Sequence, residues 1–531
     1  MSGALDAAAG VKARRAPALD AGVTACLALA AGVAILFALF PLGVAGDYAN
    51  HLARTHIETA LAGAGALSRY YELRSGLIPD LYMDAAAALL APLVGVYAAG
   101  AIASALAVMA APLSGLVLSR RLHGAAGGWL PAIGFAGVFS LNLEFGLINF
   151  IAASGIAILV FALWIGAAPG WRRALIFAPV ALLLLAAHAL GFLLFGFLVL
   201  VWELAGAASI TGRDRVFALR RLFLVDAAAF APALALLVFS IFSEGGGLRP
   251  VDAPTDFFAS RLDVLLSMFR YYSDASAVVT AVASFAAAAL GFGLGLGSGA
   301  LAIDRRMAVV CAAVFALMMA TPEHVAGIWG LHFRFGPAFL VLLAASVRFS
   351  PGARQAHGLG AGVLGGVLLL QLVHGGAKMA AADAFHDRLR ADLATLPAGA
   401  RLLQAFEPGM RLRLANHAGA LAVIEADAFV PTLFTNTSPV RVRAEWRARH
   451  LPAGRLPDLD DLDTAAGAPA PAALNGQWSD AYFDAWPEAF THVLYMRASG
   501  GALPALVRAT PVLVRPDYVL YAAANNPAGA P

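Results

Sequence analysis

Long apolar runs recur along the chain, parted by short polar turns rich in arginine. The first, 21–44, is long enough to cross a hydrocarbon core as a helix, which takes about 20 residues. Further runs lie near 97–118, 129–142, 146–167, 174–187, 190–206, 222–242, 277–300, 307–320, 335–347 and 358–376. Several fall short of ~20 residues, so their ends extend into flanking sequence or neighbouring helices shield them. The stretch 174–206 divides at His188-Ala189, because a single helix of about 33 residues would overrun the bilayer by half. The pattern predicts an α-helical polytopic membrane protein of about eleven spans.

Arginine placement orients it. Lys12, Arg14, Arg15, Arg120-Arg121, Arg172-Arg173, Arg220-Arg221 and Arg305-Arg306 all fall on one side of this topology. By the positive-inside rule that side is cytoplasmic, and an odd number of spans then puts the chain beyond about residue 377 outside. The expected division is a cytoplasmic tail (1–20), a transmembrane domain (21–376) with outer loops 45–96 and 243–276, and an extracytoplasmic α/β domain (377–531).

In the first outer loop, Pro79-Asp80-Leu81-Tyr82-Met83-Asp84 leads into Ala85–Val94, too short to span and suited to an interfacial or re-entrant helix. The second holds Gly245-Gly246-Gly247, Pro250 and Pro254, the composition of a mobile lid. Past residue 377 a charged helix from Asp383 should break at Leu396-Pro397-Ala398-Gly399. Strand-like runs follow at Ala420–Ile424, Val440–Val442, His492–Met496, Val512–Val514 and Tyr518–Tyr521, with an acidic linker from Asp458 to Pro471.

Composition agrees with the class. The chain is 60% hydrophobic and 13% charged, against roughly 25% charged in soluble domains. A net charge of +3 gives nucleic acid no purchase. Cys26 and Cys311 both lie in apolar runs, which excludes a disulfide framework. No metal-ligand spacing or phosphate-cradling glycine loop occurs, so neither metal nor cofactor is expected. The run Gly291–Gly299 lies inside a span and reads as close helix packing.

Candidate chemistry gathers on the outer side. Asp47, in Gly46-Asp47-Tyr48-Ala49-Asn50-His51, stands where the first run stops. It is either a carboxylate able to take a proton from an acceptor or the N-cap of a juxtamembrane helix. His51, four residues on, would share its face and hold it in place. Glu144, bracketed by Asn142 and Asn149, is the one acid between Asp84 and Glu203 and sits at an outer turn; it is a second catalytic candidate or a solvated loop charge. Arg334 leads a span on the outer side, against the charge rule, and suits a phosphate or a snorkelling role. Arg270, Tyr272 and His332 are further candidate substrate contacts.

The order of parts adds to this reading. A first span is followed by an acid just outside it (Asp47), then by a long outer loop ending in a proline-led segment (Pro79 to Leu93). A span closes on Arg120-Arg121-Leu122-His123-Gly124, Arg334-Phe335-Gly336-Pro337 opens a late span, and a soluble tail starts near Leu396. In this architecture, over nearly its whole length, the chain resembles the GT-C superfamily of multipass glycosyltransferases, which use polyprenyl-phosphate-linked sugars at the outer membrane face. The resemblance implies Asp47 as the acceptor-activating base, Glu144 in the acidic role of the second loop and Arg334 facing the donor phosphate. It also implies a lipid, glycan or protein acceptor in a bacterial cell envelope, with the chain in the inner membrane. A lone Glu144 in place of an Asp-x-Asp pair, and a Pro79 block without the second proline and Tyr-Trp of the aminoarabinose-transferase branch, mark a divergent member. The rival readings are a secondary transporter, disfavoured by the lack of a visible repeat, and a non-catalytic envelope assembly protein.

Overall fold

A computed structural model describes residues 20–63, 65–74, 79–243, 257–325, 328–407, 413–435, 438–452, 454–471, 481–498 and 503–524. The glycine- and proline-rich stretch expected to form a lid, 244–256, lies outside them.

Helix α1 (Ala21–Leu39) starts at Asp20, whose carboxylate accepts from the amides of Gly22 and Val23. A turn leads into α2 (Tyr48–Ala60), β1 (Tyr71–Leu73) and α3 (Tyr82–Val94), none long enough to cross a bilayer. α3 buries Met83, Asp84, Ala87 and Ala91 and exposes Leu89 and Leu93. It is short, and its exposed face is apolar.

The bundle continues through α4 (Val96–His123), α5 (Leu141–Glu144), α6 (Ile148–Gly166), α7 (Trp171–Ala187), α8 (Ala189–Ala208), α9 (Gly212–Arg221) and α10 (Ala231–Ser243). Its second half holds α11 (Phe257–Ser267), α12 (Ala275–Gly297), β2 (Leu301–Ile303), α13 (Arg305–Ala320), β3 (His324–Val325) and β4 (Ile328–Trp329). It closes with α14 (Leu331–Arg334), α15 (Gly336–Ser346), β5 (Val347–Phe349) and α16 (Arg354–Leu393). Six described helices are long and apolar enough to cross a membrane, or seven if the pair around residue 230, bent by 58°, is one span. The chain is therefore a multipass membrane protein. The other expected spans coincide with shorter helices, 130–144, α7, α13 and 331–346, so the count of about eleven rests on helices that do not reach across by length alone.

Small residues let the helices approach. A Cβ on Gly155 would lie 2.5 Å from that of Ala110, and one on Gly191 would lie 2.4 Å from that of Ala153. The Gly291–Gly299 run does so only in part: Gly291, Gly293 and Gly297 have open space where a Cβ would stand, while one on Gly295 would lie 2.5 Å from Leu301 Cδ1. The expectation of close helix packing is corrected for the three open positions.

Helix α16 spans 40 residues, about 60 Å. The last expected span and the charged helix after it are thus one rod, whose outer residues Phe385, Leu389 and Leu393 enter a second core. That core is built on β6 (Leu402–Phe406), α17 (Leu421–Ala426), β7 (Val440–Val442), α18 (Leu459–Ala465), α19 (Trp486–Ala489), β8 (His492–Met496), β9 (Ala509–Val514) and β10 (Tyr518–Ala523). The sheet runs β6-β8-β10-β9, with β6 parallel to β8 and the other pairs antiparallel.

Two expectations are corrected here. Residues 420–424 are helical, because a short apolar run carries no periodicity that separates strand from helix. Asp458–Pro471 is no bare linker: Asp458 and Asp461 form a capping box that starts α18, which buries Leu462 and Ala465. The second core also takes Ala49, Ala53, Ile57, Tyr70 and Tyr71 from the first outer loop, and β1 pairs with β7. The C-terminal domain, called the soluble domain below for its expected place, therefore sits directly on α2.

Ion pairs gather at both ends of the bundle. Arg173, near the start of α7, bridges Glu203 (3.1 Å) and Asp226 (2.7 Å), and Arg221 and Arg306 reach Glu203 at 3.0 and 3.4 Å. A π-helical turn, Leu222–Asp226, carries the buried Asp226 into this network. His188, just past the other end of α7, belongs to the opposite rim.

Candidate functional site

The turn 140–147 is the hub of that rim. The amide of Asp47 donates to Phe145 O at 2.9 Å, Asn142 Nδ2 donates to Arg334 O at 2.9 Å, and the amide of Tyr272 donates to Glu144 Oε2 at 3.1 Å. One short loop thus fixes the start of α2, the end of α14 and the segment before α12. Gly46 (φ +62°) and Gly146 (φ +68°) make the closest contact. A Cβ on Gly46 would stand 2.4 Å from Phe145 C, and one on Gly146 would stand 2.6 Å from Ala45 O and 2.7 Å from Tyr48 N. Both the left-handed backbone and the lack of space require glycine. Gly146→Ala is expected to shift Asp47 and lower the melting temperature while the protein still inserts. Melting curves beside wild type in detergent would check it.

Asp47 does not act as a cap, since its side chain accepts no bond from the α2 amides. That removes the N-cap alternative. The side chain keeps 26% of its surface accessible, and the protein packed around the rest lifts its pKa to about 7, against the pull of Arg334. The neighbouring Asp80 raises it further and Arg54 lowers it.

Asp80 comes from the turn before α3 and has φ +87°. Asn149 holds that turn, accepting from Met83 N and donating to Asp80 O, both at 2.7 Å. Burial lifts Asp80 to about 7 as well, opposed by Arg54, Asn149 and Arg334. His188 Nδ1 accepts from Leu190 N at 3.0 Å, which leaves the proton of the neutral ring on Nε2, 3.6 Å from Asp80 Oδ1.

Arg334 completes the group. Its Nη2 donates to Trp329 O at 3.1 Å, its guanidinium lies over the Phe150 ring at 5.8 Å, and its buried Nε has no hydrogen-bond partner. No carboxylate lies within 4 Å of it among the described residues. A cation and two carboxylates therefore face one another without pairing, anchored by their own backbones.

Acids with a raised folded-state pKa make stability depend on pH. Between about pH 4 and pH 7 the unfolded chain ionises while folded Asp47 keeps its proton, so stability falls as pH climbs through that window. Asp47→Asn should raise the melting temperature at pH 8 and leave it unchanged at pH 4, as read by thermal unfolding in detergent.

The remaining candidates divide. His51 is buried beside this group with Nδ1 unpartnered, and burial pushes its pKa down to about 3. It does not hold Asp47 as expected. The imidazole nearest that carboxylate is His417 of the soluble domain, at 3.9 Å. Glu144 is wholly buried and reaches Tyr272, whose own φ is +73°. Arg270 pairs with Asp263 at 2.9 Å and stands apart from Asp47. His332 is buried with its ring edge-on to Phe333.

Sequence reasoning missed Asp80, and with it Arg54 and Asp84, which form a buried two-point ion pair between α2 and α3. A signal for the pair existed. Asp47, His51, Arg54 and Glu58 recur at helical spacing on a segment with few apolar residues, a polar stripe that water does not require.

No family model matches this chain, and no curated protein matches it by sequence. Solved structures do. ArnT from Cupriavidus metallidurans bound to undecaprenyl phosphate aligns over 96% of this chain and 99% of its own, with 13% identity and a TM-score of 0.51. The same protein in the apo state aligns over 94% and 98%, with 13% identity and a TM-score of 0.49. The first alignment runs through both the bundle and the soluble domain, so the likeness is one of whole architecture. The chain thus has the fold of ArnT, at 13% sequence identity.

Proposed function

We propose that the protein is a membrane glycosyltransferase that moves a sugar from a polyprenyl-phosphate donor to an acceptor at the outer face of the membrane. The observation that carries this reading is the unpaired opposition of Asp47 and Arg334, both anchored by the 140–147 turn. Charges left unpaired in a folded protein cost stability, and such sites are where chemistry is found. In the reaction, ionised Asp47 takes the acceptor's proton as the acceptor atom attacks the anomeric carbon from the face opposite the phosphate. The bond from that carbon to the phosphate oxygen breaks, the oxygen keeps the electron pair, and Arg334 holds the departing charge. The sugar is inverted, and no nucleotide site is needed.

Asp80 is a second acid for the same space, while Glu144 is assigned to fixing Tyr272 and through it the approach to the site. His51, His332 and Arg270 are kept as candidate substrate contacts, Arg270 requiring release from Asp263. An apolar groove of about 400 Å³ lies lower in the bundle, lined by Trp129, Phe292, Leu294, Phe349, Leu364 and Phe269. No ionisable side chain lines it, and Phe269 adjoins Arg270, so it suits a polyprenyl chain whose phosphate is held above. The orientation that goes with this reading puts the amino terminus in the cytoplasm and the soluble domain outside.

ArnT is the relative in fold whose solved structure holds undecaprenyl phosphate; that lipid class is carried to this chain as part of the proposal. The transporter reading finds less support, because Glu203 and Asp226 are tied into ion pairs at the other end of the bundle. Lipid and glycan profiling of a deletion strain tests the proposal. A polyprenyl-phosphate sugar should accumulate and one glycoconjugate should disappear. An unchanged glycan profile with altered solute uptake would favour transport instead.

A further inference from the structure

His417 belongs to the soluble domain, yet its imidazole Nε2 is 3.9 Å from Asp47 Oδ1. It is held there with care. His417 sits at φ +58°, a backbone conformation that residues with a side chain rarely adopt. The turn that carries it is pinned by buried Gln404, which accepts from Gly419 N at 2.8 Å and donates to Ala415 O at 2.6 Å. Phe434 packs edge-on against the ring at 4.9 Å, and the amide of Phe434 donates to Asn50 Oδ1 on α2 at 3.3 Å. His417 is buried, and its Nδ1 has no hydrogen-bond partner. Among the described residues this imidazole makes no hydrogen bond.

We infer that His417 is a positioning residue for Asp47: the soluble domain lends an Nε2–H to one carboxylate oxygen and so aims the other at the acceptor. This deepens the proposed function and rests on Asp47 being the base. The present separation exceeds a hydrogen bond by about 1 Å, a gap that rotation of the two side chains closes in the substrate-free protein. Burial pushes His417 down to about 4, so it is neutral at pH 7 and able to donate without carrying charge. The other groups around Asp47 are Arg54 and His51 on α2, Asp80 before α3, His188 at the α7–α8 break and Arg334 on α14, while Glu144 on the packed turn points its carboxylate to Tyr272. Among the described histidines, His417 is the one within 4 Å of an Asp47 carboxylate oxygen. The consequence is that the soluble domain is part of the catalytic unit.

The test is titration of Asp47 in the full-length protein in detergent. Dicyclohexylcarbodiimide, which reacts with protonated carboxyls, is the probe, and labelling of the peptide bearing Asp47 is followed by mass spectrometry from pH 5 to pH 9. Wild type should lose labelling with a midpoint near pH 7. His417→Phe, which keeps the ring contact with Phe434 and removes the donor, should raise the midpoint by about one unit. His417→Gln, which restores an N–H, should return it to the wild-type value. The same midpoint in all three overturns the proposal, as does a shift that His417→Gln fails to reverse. Because labelling reads only the Asp47 proton, it decides the role of His417 even if the deletion strain shows no defect in sugar transfer.

Discussion

Replacing Asp47 by Asn should lower the transfer rate by about 10²–10⁴-fold, the range spanned by loss of a general base, with abundance and membrane insertion unchanged. The amide matches the carboxylate in size and keeps the backbone bond from residue 47 to Phe145 O, so the hub turn stays in place. What is lost is the capacity to accept a proton. The dependence on pH gives a second handle. Asp47 is pushed up to about 7, so the ionised base is scarce below neutrality, and wild-type activity should rise as pH increases through 7. The residual activity of the variant should lack that rise. An assay with a polyprenyl-phosphate sugar in detergent, run over pH 5.5 to 8.5, would measure both. Full activity in the variant would remove Asp47 from the mechanism, leaving the fold assignment intact.

Loss of Asp84 is expected to be the costliest single change to stability. Arg54 and Asp84 meet in two contacts, one of them 2.8 Å, with side chains only 1% and 4% exposed. Removing one member of a buried pair leaves the other charge without water or partner, at a cost of about 3–5 kcal/mol. Asp84→Ala should therefore unfold at markedly lower temperature or denaturant than wild type. Arg54→Met combined with Asp84→Leu should regain much of the loss, since the apolar pair leaves no orphaned charge. Burial and the nearby Asp84 hold Glu58 protonated, up to about 9. In the single variant Glu58 can ionise beside Arg54, so the deficit should shrink as pH rises. A wild-type melting curve for Asp84→Ala would show that the pair is not what joins α2 to α3.

The pair matters for chemistry as well as stability. It lies on the helix that begins at Asp47 and joins it to the segment that begins at Asp80, so the two acids are set relative to each other through it. Asn149 and the 140–147 turn supply the remaining fixed points. The site is thus built from backbone segments tied to one another, and its charged side chains are left free to meet a substrate.

Legibility followed the range of the forces involved. The apolar runs announced a multipass bundle because each span must satisfy its backbone within itself and face lipid or other helices, which is a property of local sequence. Asp47, Glu144 and Arg334 stood out for a related reason: charges beside apolar runs are conspicuous. Asp80 carried no such mark, being one of several acids in a polar loop. Its place beside Asp47 depends on Asn149, 69 positions away along the chain. The pairing of α2 with the soluble domain was equally hidden. His56 meets Asp427 at 3.2 Å and Asn50 meets the amide of Phe434, contacts across more than 370 residues.

From its sequence alone this protein was determined to be a helical membrane chain with acids and an arginine at one rim and a mixed soluble domain after its last span. Hydrophobic periodicity and charge placement act over a few helical turns, and they suffice for that. Which acid stands beside Asp47, which histidine reaches it, and that Arg270 pairs with Asp263 were decided only by tertiary structure. Those choices are made by contacts between distant segments, where burial leaves each charged group few partners and the packing of α2 against α3 and the soluble domain selects among them.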